Sequence, residues 1–371
     1  LDASMELDTR PVAPPAPPPV PAERRKYYGI TPPIDERSPT PAERASSEAL
    51  EATLRSLGVF ELESGRRSRR GVIDELQRVA SEWCADEFRL HVARASRTGA
   101  SVPSVVIVEQ ATAHASKGAA DDDGRRPETT KEATNDATSP DGGGTETAPA
   151  PRCELRTFGS VKLDVHTPDA DIDVVLIAPR HCTRAAFFGS LVLRLEREFG
   201  GGRVMPVRDA YTPVIKLRCR ETDVDLLFVA LDAERVPDPL NVLDDSLLRG
   251  LDEGAVRSLN GVRVAEMLLL LVPDAAVFRL ALRAVKRWAR AKGLYSNVLG
   301  LLGGVNCAIL VAFVCQRYPN ACAATVVGRF FRIFDSWEWP HPVLIAPPAV
   351  PATAPSPPSS GSAPHQLGGG A

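Results

Sequence analysis

The spacing of apolar side chains changes along the chain and predicts its elements in turn. In residues 44–57, Leu50, Leu54 and Leu57 recur at helical spacing, and Gly58 supplies a stop. Residues 71–92 predict a second helix, with Val72, Leu76, Val79, Ala80 and Trp83 on one stripe. Residues 103–109 fit a strand or a short helix equally well. From Cys153 the period shortens: Leu155–Gly159, Asp171–Ala178, Val214–Cys219 and Val224–Leu231 read as strands. A helix over 184–199, carrying Phe187, Phe188, Leu191, Leu195 and Phe199, lies among them. The last two strands are parted by Arg220-Glu221-Thr222-Asp223, a hairpin-length break. Beyond about residue 240 the helical period returns, over 244–251, 254–271, 274–292, 303–318 and 321–336. This order predicts an α+β fold: a mixed sheet with helices, followed by an all-helical second domain.

Composition removes three segments from that picture. Residues 11–22 and 346–371 hold seven prolines each, and 116–152 contains no Val, Ile, Leu, Met, Phe, Trp or Tyr. Such stretches cannot bury enough apolar surface to offset the entropy of ordering, so disorder is expected for 1–23, 116–152 and 346–371. The insert 116–152 carries eight acids and five bases, so the chain's net charge of −3 belongs to it. A strongly basic coat over the whole chain is excluded, but a local basic face is not. The seven cysteines show no zinc-type spacing and read as free thiols of a reducing compartment. Val298 to Cys315 carries no charge, but Gly300, Gly303, Gly304 and Asn306 interrupt it. It reads as a turn followed by a buried helix, and the chain as soluble with no membrane span.

The sharpest chemical signal is Gly159-Ser160 followed by Asp171-Ile172-Asp173. Carboxylates at i and i+2 of a strand share one face and repel each other. A hard divalent cation that also takes substrate phosphates makes the arrangement favourable. An Asp-x-Asp pair alone is more often a solvated strand start. The preceding Gly-Ser, which lets a backbone and a hydroxyl approach a phosphate, shifts the balance. A third acid, Asp225, opens another apolar strand, with Asp223 as its rival on the same face. Asp225 is preferred because four apolar residues follow it, as they follow Asp173. Three such acids fit two-metal phosphoryl or nucleotidyl transfer.

The helix over 274–292 holds Arg279, Arg283, Lys286, Arg287, Arg290 and Lys292 and no acid between Ala275 and Gly293. Arg279, Arg283, Lys286 and Arg290 share a face, which suits phosphate as well as plain solvation. His166 and His181 flank the acid strand and read as structural donors. Ser160 lacks the context of a hydrolase nucleophile, and phosphate loops of the Walker and dinucleotide types are absent.

Several blocks, in this order along the chain, resemble eukaryotic nuclear poly(A) polymerases. They include Tyr28-Gly29-Ile30-Thr31, Phe158-Gly159-Ser160, His166-Thr167, Ala170-Asp171-Ile172-Asp173 and Ala178-Pro179-Arg180-His181. Further along come Pro213-Val214-Ile215-Lys216-Leu217, Asp244-Asp245-Ser246-Leu247-Leu248 and Ser258-Leu259-Asn260-Gly261. The strongest is Tyr295-Ser296-Asn297 with Leu302-Gly303-Gly304-Val305, followed by Tyr318-Pro319-Asn320-Ala321 and Trp337-Glu338-Trp339-Pro340. The resemblance covers roughly 27–92 and 153–345.

It implies a palm-like nucleotidyltransferase domain of the DNA polymerase beta type and a helical middle domain. The implied division is a Pro-rich arm 1–23, an N-terminal segment 24–92 packing on both domains, a catalytic domain 93–240 containing the insert, a middle domain 241–345 and a tail 346–371. The implied reaction adds AMP from ATP to an RNA 3′-hydroxyl without a template, releasing pyrophosphate, with two Mg²⁺ or Mn²⁺ ions. By motif position Asp171, Asp173 and Asp225 hold the metal. Phe158, Gly159, Ser160 and Thr167 line the phosphates, and Lys286 and Tyr295 contact the triphosphate. Asn260, Asn297, Gly304 and Val305 lie near sugar and adenine. The implied setting is a nuclear monomer acting with cleavage and polyadenylation proteins on mRNA.

Three features depart from the family pattern. The insert 116–152 stands where the family has a short connection. Asp164 stands where the family usually has Gly, bringing a negative charge toward the phosphates. The Pro/Ala/Ser/Gly tail stands where the family continues into an RRM-like RNA-binding domain, which this sequence is expected to lack. The alternative readings are a related RNA nucleotidyltransferase with another base preference, such as a uridylyltransferase, or a truncated nucleotide-binding scaffold that does not extend RNA.

Overall fold

The computed structural model describes residues 28–98, 151–200 and 202–347. The arm 1–23, insert positions 116–150, the segment 103–109 and the tail from 348 lie outside the described residues. The last two insert residues are placed: Arg152 pairs with Glu154 at 3.0 Å and Asp238 at 2.8 Å.

Helix α1 (Pro41–Ser56) begins where its sequence says it should. Thr40 and Glu43 form a reciprocal capping box, with Pro41 in the first turn. Leu54 is buried against Val59 and Ala284, while Leu57, read as part of the same stripe, is the exposed C-cap. Helix α2 runs over Glu63–Thr98, longer than its apolar stripe, and buries Val72, Leu76, Val79, Ala80 and Trp83. Its polar first turns are anchored by Arg69, which donates to Glu61 at 2.7 Å and to the Pro168 carbonyl at 3.0 Å.

Five strands follow: β1 (Glu154–Thr157), β2 (Ile172–Ala178), β3 (Val204–Val207), β4 (Val214–Cys219) and β5 (Thr222–Ala230). They form one mixed sheet in the order β1-β2-β5-β4-β3, with β2 and β5 parallel and the other neighbours antiparallel. Between β1 and β2 lies the short helix α3 (Gly159–Lys162). Between β2 and β3, α4 (Arg184–Ala186), a π-helical stretch Phe187–Leu191 and α5 (Val192–Phe199) make a continuous helix.

Alternation along the strands divides the core. Ile172, Val174, Leu176, Ile215, Leu217, Leu226 and Phe228 pack under α2 and the α4–α5 helix. Val175, Ile177, Leu227 and Val229 pack on the other face against Ala255, Leu259 and Val262 of α6 (Glu253–Leu271). The second half of α6 leaves the sheet: Ala265 and Leu268 join α7 (Ala275–Ala291), α8 (Gly304–Arg317) and α9 (Ala323–Asp335) in a helical core. The uncharged run is part of that core, since α8 buries Cys307, Ala308, Val311, Ala312 and Val314. No helix among the described residues is long and apolar enough to cross a membrane. Residues 244–251 form a short 3₁₀ turn, Asp245–Leu248, rather than a helix.

Candidate active site

The two-strand parallel pairing sets the centre of the site. Asp173 of β2 stands opposite Asp225 of β5, on the sheet face that α6 covers farther along. Before α6 reaches it, that face opens into a cleft of about 1150 Å³ between the sheet and helices α6, α7 and α8. Carboxylate oxygens of Asp171, Asp173 and Asp225 lie within 4.8 Å of one another in this cleft. Asp223 does not join them: it pairs with Arg218 at 3.0 Å across the hairpin.

Burial, then the neighbouring Asp171 and Asp225, push the Asp173 carboxyl up to about 7, with Lys216 and Lys286 opposing. A half-buried carboxylate beside two others is unfavourable without added positive charge. Part of that charge is Lys216, whose Nζ donates to both Asp225 oxygens, at 2.8 and 2.6 Å. The oxygen-only donor set and its separation fit a hard divalent cation. Gly159 sits against this cluster with φ +59, and a Cβ there would fall on Asp173 Oδ2. Gly261 is similarly required, because a Cβ would lie 2.8 Å from the Phe158 ring.

Helix α7 forms the opposite wall, and its basic face is withdrawn from solvent at its middle. Arg283 and Lys286 are buried. Successive turns of the helix hold successive polar groups of the 163–167 segment. Arg279 donates to the Leu163 carbonyl at 3.0 Å, Arg283 to that of Asp164, and Lys286 to that of Val165 at 3.2 Å. Arg290 reaches Thr167 Oγ1 at 3.5 Å and stacks over the Tyr295 ring. The ladder fixes the loop that carries Thr167, and it leaves Lys286 and Arg290 on the cleft. Burial, then Arg290, lowers the Lys286 ammonium to about 8. Burial raises the Tyr295 phenol. From behind, Glu61 accepts from Arg69 and contacts His166 Nε2 at 2.9 Å, which supports the same loop.

The amino end of α8 closes the third side. Gly303 is its N-cap, and its amide donates to Asn306 Oδ1 at 3.0 Å. Gly304 and Val305 of the first turn line the cleft, and a Cβ on Gly304 would lie 2.9 Å from Tyr295 Oη. A helix N-terminus at the wall of such a cleft favours an anion there.

Of the residues singled out from sequence, Phe158, Gly159, Ser160, Thr167, Asp171, Asp173, Asp225, Asn260, Lys286, Tyr295, Gly304 and Val305 all line this cleft. Asn297 does not. It is exposed, with its Cβ near Gly303 at the amino end of α8. Asp164 is also placed differently from the expectation. It takes the left-handed backbone (φ +53) that a glycine would take. Its carboxylate faces Arg66 at 3.4 Å and Arg283 at 3.5 Å, outside the cleft lining. Lys216 was missed. It stands opposite Asp225 only because the hairpin turn is Arg220-Glu221, with Cys219 pairing Thr222, and a four-residue break hides that register.

Comparison with known proteins agrees with this geometry. The family model described as the poly(A) polymerase nucleotidyltransferase domain matches residues 29–123 and 127–272, and that of the poly(A) polymerase central domain matches 277–355. Poly(A) polymerase pla1 of Schizosaccharomyces pombe is 34% identical over 322 residues, covering 87% of this chain and 48% of that protein. Poly(A) polymerase PAPa of Candida albicans is 34% identical over 318 residues, covering 86% and 48%. The chain thus spans about half the length of these curated relatives. A solved cytoplasmic RNA terminal U-transferase superposes with TM-score 0.43 at 12% identity, over 80% of this chain and 74% of that one, a likeness too distant to bear on function. With both family models matched in order and their junction falling between α6 and α7, the chain belongs to the poly(A) polymerase family.

Proposed function

We propose that this chain adds AMP from ATP to the 3′-hydroxyl of RNA without a template, releasing pyrophosphate. The observation that carries the reading is the register of Asp173 with Asp225, which gathers three carboxylates opposite Lys286 and the amino end of α8. Asp171, Asp173 and Asp225 would hold two Mg²⁺ or Mn²⁺ ions. When bound, such ions lower the pKa of the attacking hydroxyl and neutralise charge on the leaving pyrophosphate.

The chain's own groups do the rest. Ser160 and Thr167 offer hydroxyls to the triphosphate, and Gly159 lets it approach the backbone. Lys286 supplies a compact positive charge to it, with Arg290 beside it and Tyr295 stacked on Arg290. Phe158 lines the phosphates with them, and Asn260, Gly304 and Val305 of the cleft wall would lie near sugar and adenine. Asn297, expected from the resemblance near sugar and adenine, lies outside the cleft lining and is assigned no contact. Asp225, paired with Lys216 here, would also be a metal ligand. The proposed division is a catalytic domain over 93–240 and a middle domain over 241–345, whereas the nucleotidyltransferase family model runs on through α6 to residue 272. The setting is the nucleus, as a monomer working with cleavage and polyadenylation proteins on mRNA.

The test is extension of a short RNA primer with each of the four nucleoside triphosphates separately, with Mg²⁺ or Mn²⁺. Extension with ATP in preference to the others is expected. Preference for UTP would replace this reading with a uridylyltransferase. ATP binding with no extension at any primer concentration would leave a nucleotide-binding scaffold.

A further inference from the structure

At the other end of β2 from the carboxylates, and on the opposite sheet face, three cysteines and a histidine meet that are far apart in sequence. Cys84 comes from the middle of α2, Cys153 from the residue before β1, and His181-Cys182 from the turn after β2. Cys84 and Cys182 are fully buried, Cys153 is 4% exposed and His181 is 9% exposed. Cys84 Sγ lies 3.7 Å from Cys182 Sγ and 3.9 Å from His181 Nε2. Ligand atoms of Cys84, His181 and Cys182 all lie within 4.8 Å of one another. Cys153 lies in the same buried cluster beside Cys84.

We propose that Cys84, Cys153, Cys182 and His181 form a structural site for one zinc ion. The spacing argues for this over plain packing. A tetrahedral ion with Zn–S of about 2.3 Å and Zn–N of about 2.0 Å separates its sulfurs by about 3.8 Å and sulfur from nitrogen by about 3.5 Å. The observed 3.7 Å matches the sulfur–sulfur edge and the 3.9 Å is a few tenths longer than the sulfur–nitrogen edge, while Cys153, outside the group that lies within 4.8 Å, closes in to complete the tetrahedron. Three sulfurs and one imidazole are a soft donor set that selects zinc over magnesium or calcium. The Phe88 ring meets the His181 imidazole edge-on, with centroids 5.2 Å apart, which fixes the ring and keeps the site dry. On binding, each of the three Sγ–H bonds breaks, the protons pass to solvent, and the sulfur lone pairs form the bonds to the metal. Nothing is oxidised or reduced. The ion would tie α2 to the segments flanking β1 and β2, and so brace the sheet from behind the catalytic face.

The experiment is elemental analysis of the full chain purified without chelator. About one zinc per chain is expected, retained in Asp173→Asn, which disturbs the carboxylate cluster only. Cys84→Ser and Cys182→Ser should each lower the content to roughly a tenth or less. Should those variants fail to fold, cobalt(II) substitution of the unaltered chain decides. Tetrahedral thiolate-to-cobalt charge-transfer absorption supports the site. A metal-free chain that gives no such absorption on cobalt titration overturns it. So does an intact mass two hydrogens light with Cys84 and Cys182 linked as a disulfide.

Discussion

Replacing Asp173 by Asn isolates the electrostatics of the site from its chemistry. The Asp173 carboxyl is raised from 3.8 to about 7. At 1.36 kcal/mol per pH unit, ionising it at pH 8 costs the folded chain about 4 kcal/mol relative to the unfolded one. Below pH 3.8 the group is protonated in both states and the penalty is nil. Between 3.8 and 7 the unfolded chain loses the proton first, so stability falls as pH rises. Above 7 the full penalty applies. Asparagine keeps the shape and carries no charge. Without added divalent cation at pH 8, Asp173→Asn should therefore melt higher than the unaltered chain, by on the order of 5 °C. The gap should close as the pH approaches 4. Mg²⁺ or Mn²⁺ should raise the melting temperature of the unaltered chain at pH 8 and do far less for the variant. Melting of both proteins is followed by circular dichroism across that pH range. A variant that melts lower than the unaltered chain at pH 8, with a gap independent of pH, would refute the reasoning.

Other consequences follow from the same geometry. Lys286 loses its proton as pH rises through about 8, so kcat/KM for ATP should fall over that range and stay level in Lys286→Arg; a level profile in the unaltered chain contradicts its contact with phosphate. Lys286→Ala should lower kcat/KM for ATP by roughly tenfold or more in steady-state assays, the loss of one charge-assisted bond. Gly159→Ala combines φ +59 with a clash on Asp173, and should cost about 1–2 kcal/mol in denaturant melts together with most of the activity. Asp164→Gly should change kcat/KM for ATP by less than about twofold, since the half-exposed carboxylate pairs with Arg66 and Arg283 outside the cleft, where such pairs contribute little.

What the sequence reveals here depends on whether a feature is local. Strand β4 and helices α6, α7 and α8 fall within a residue or two of their expected bounds, because their apolar periods are strong and glycines or Asp caps mark their ends. Strand β3 is absent from the sequence reading. Val-Met-Pro-Val is short, carries a proline and lies on the sheet edge, so no alternation builds up. The first turns of α2 have no apolar stripe, and polar bonds to Glu61 and the 167–168 carbonyls hold them. The five bases of α7 announce themselves as a patch, but only the fold shows that Arg279 and Arg283 serve the loop alone while Lys286 and Arg290 also line the cleft. The meeting of Cys84, Cys153, His181 and Cys182 has no sequence signature at all, since three distant segments bring them together.

The central claim is that Asp171, Asp173 and Asp225 together drive AMP transfer. Its most direct measurement is the initial rate of ATP-dependent extension of an RNA primer by the unaltered chain and by Asp225→Ala, with folding of both checked by circular dichroism. The account predicts extension by the unaltered chain and a loss of about 10³ or more in a folded variant, the several kcal/mol that metal-held charge contributes to such a transfer. A folded Asp225→Ala chain extending RNA at the unaltered rate would contradict it.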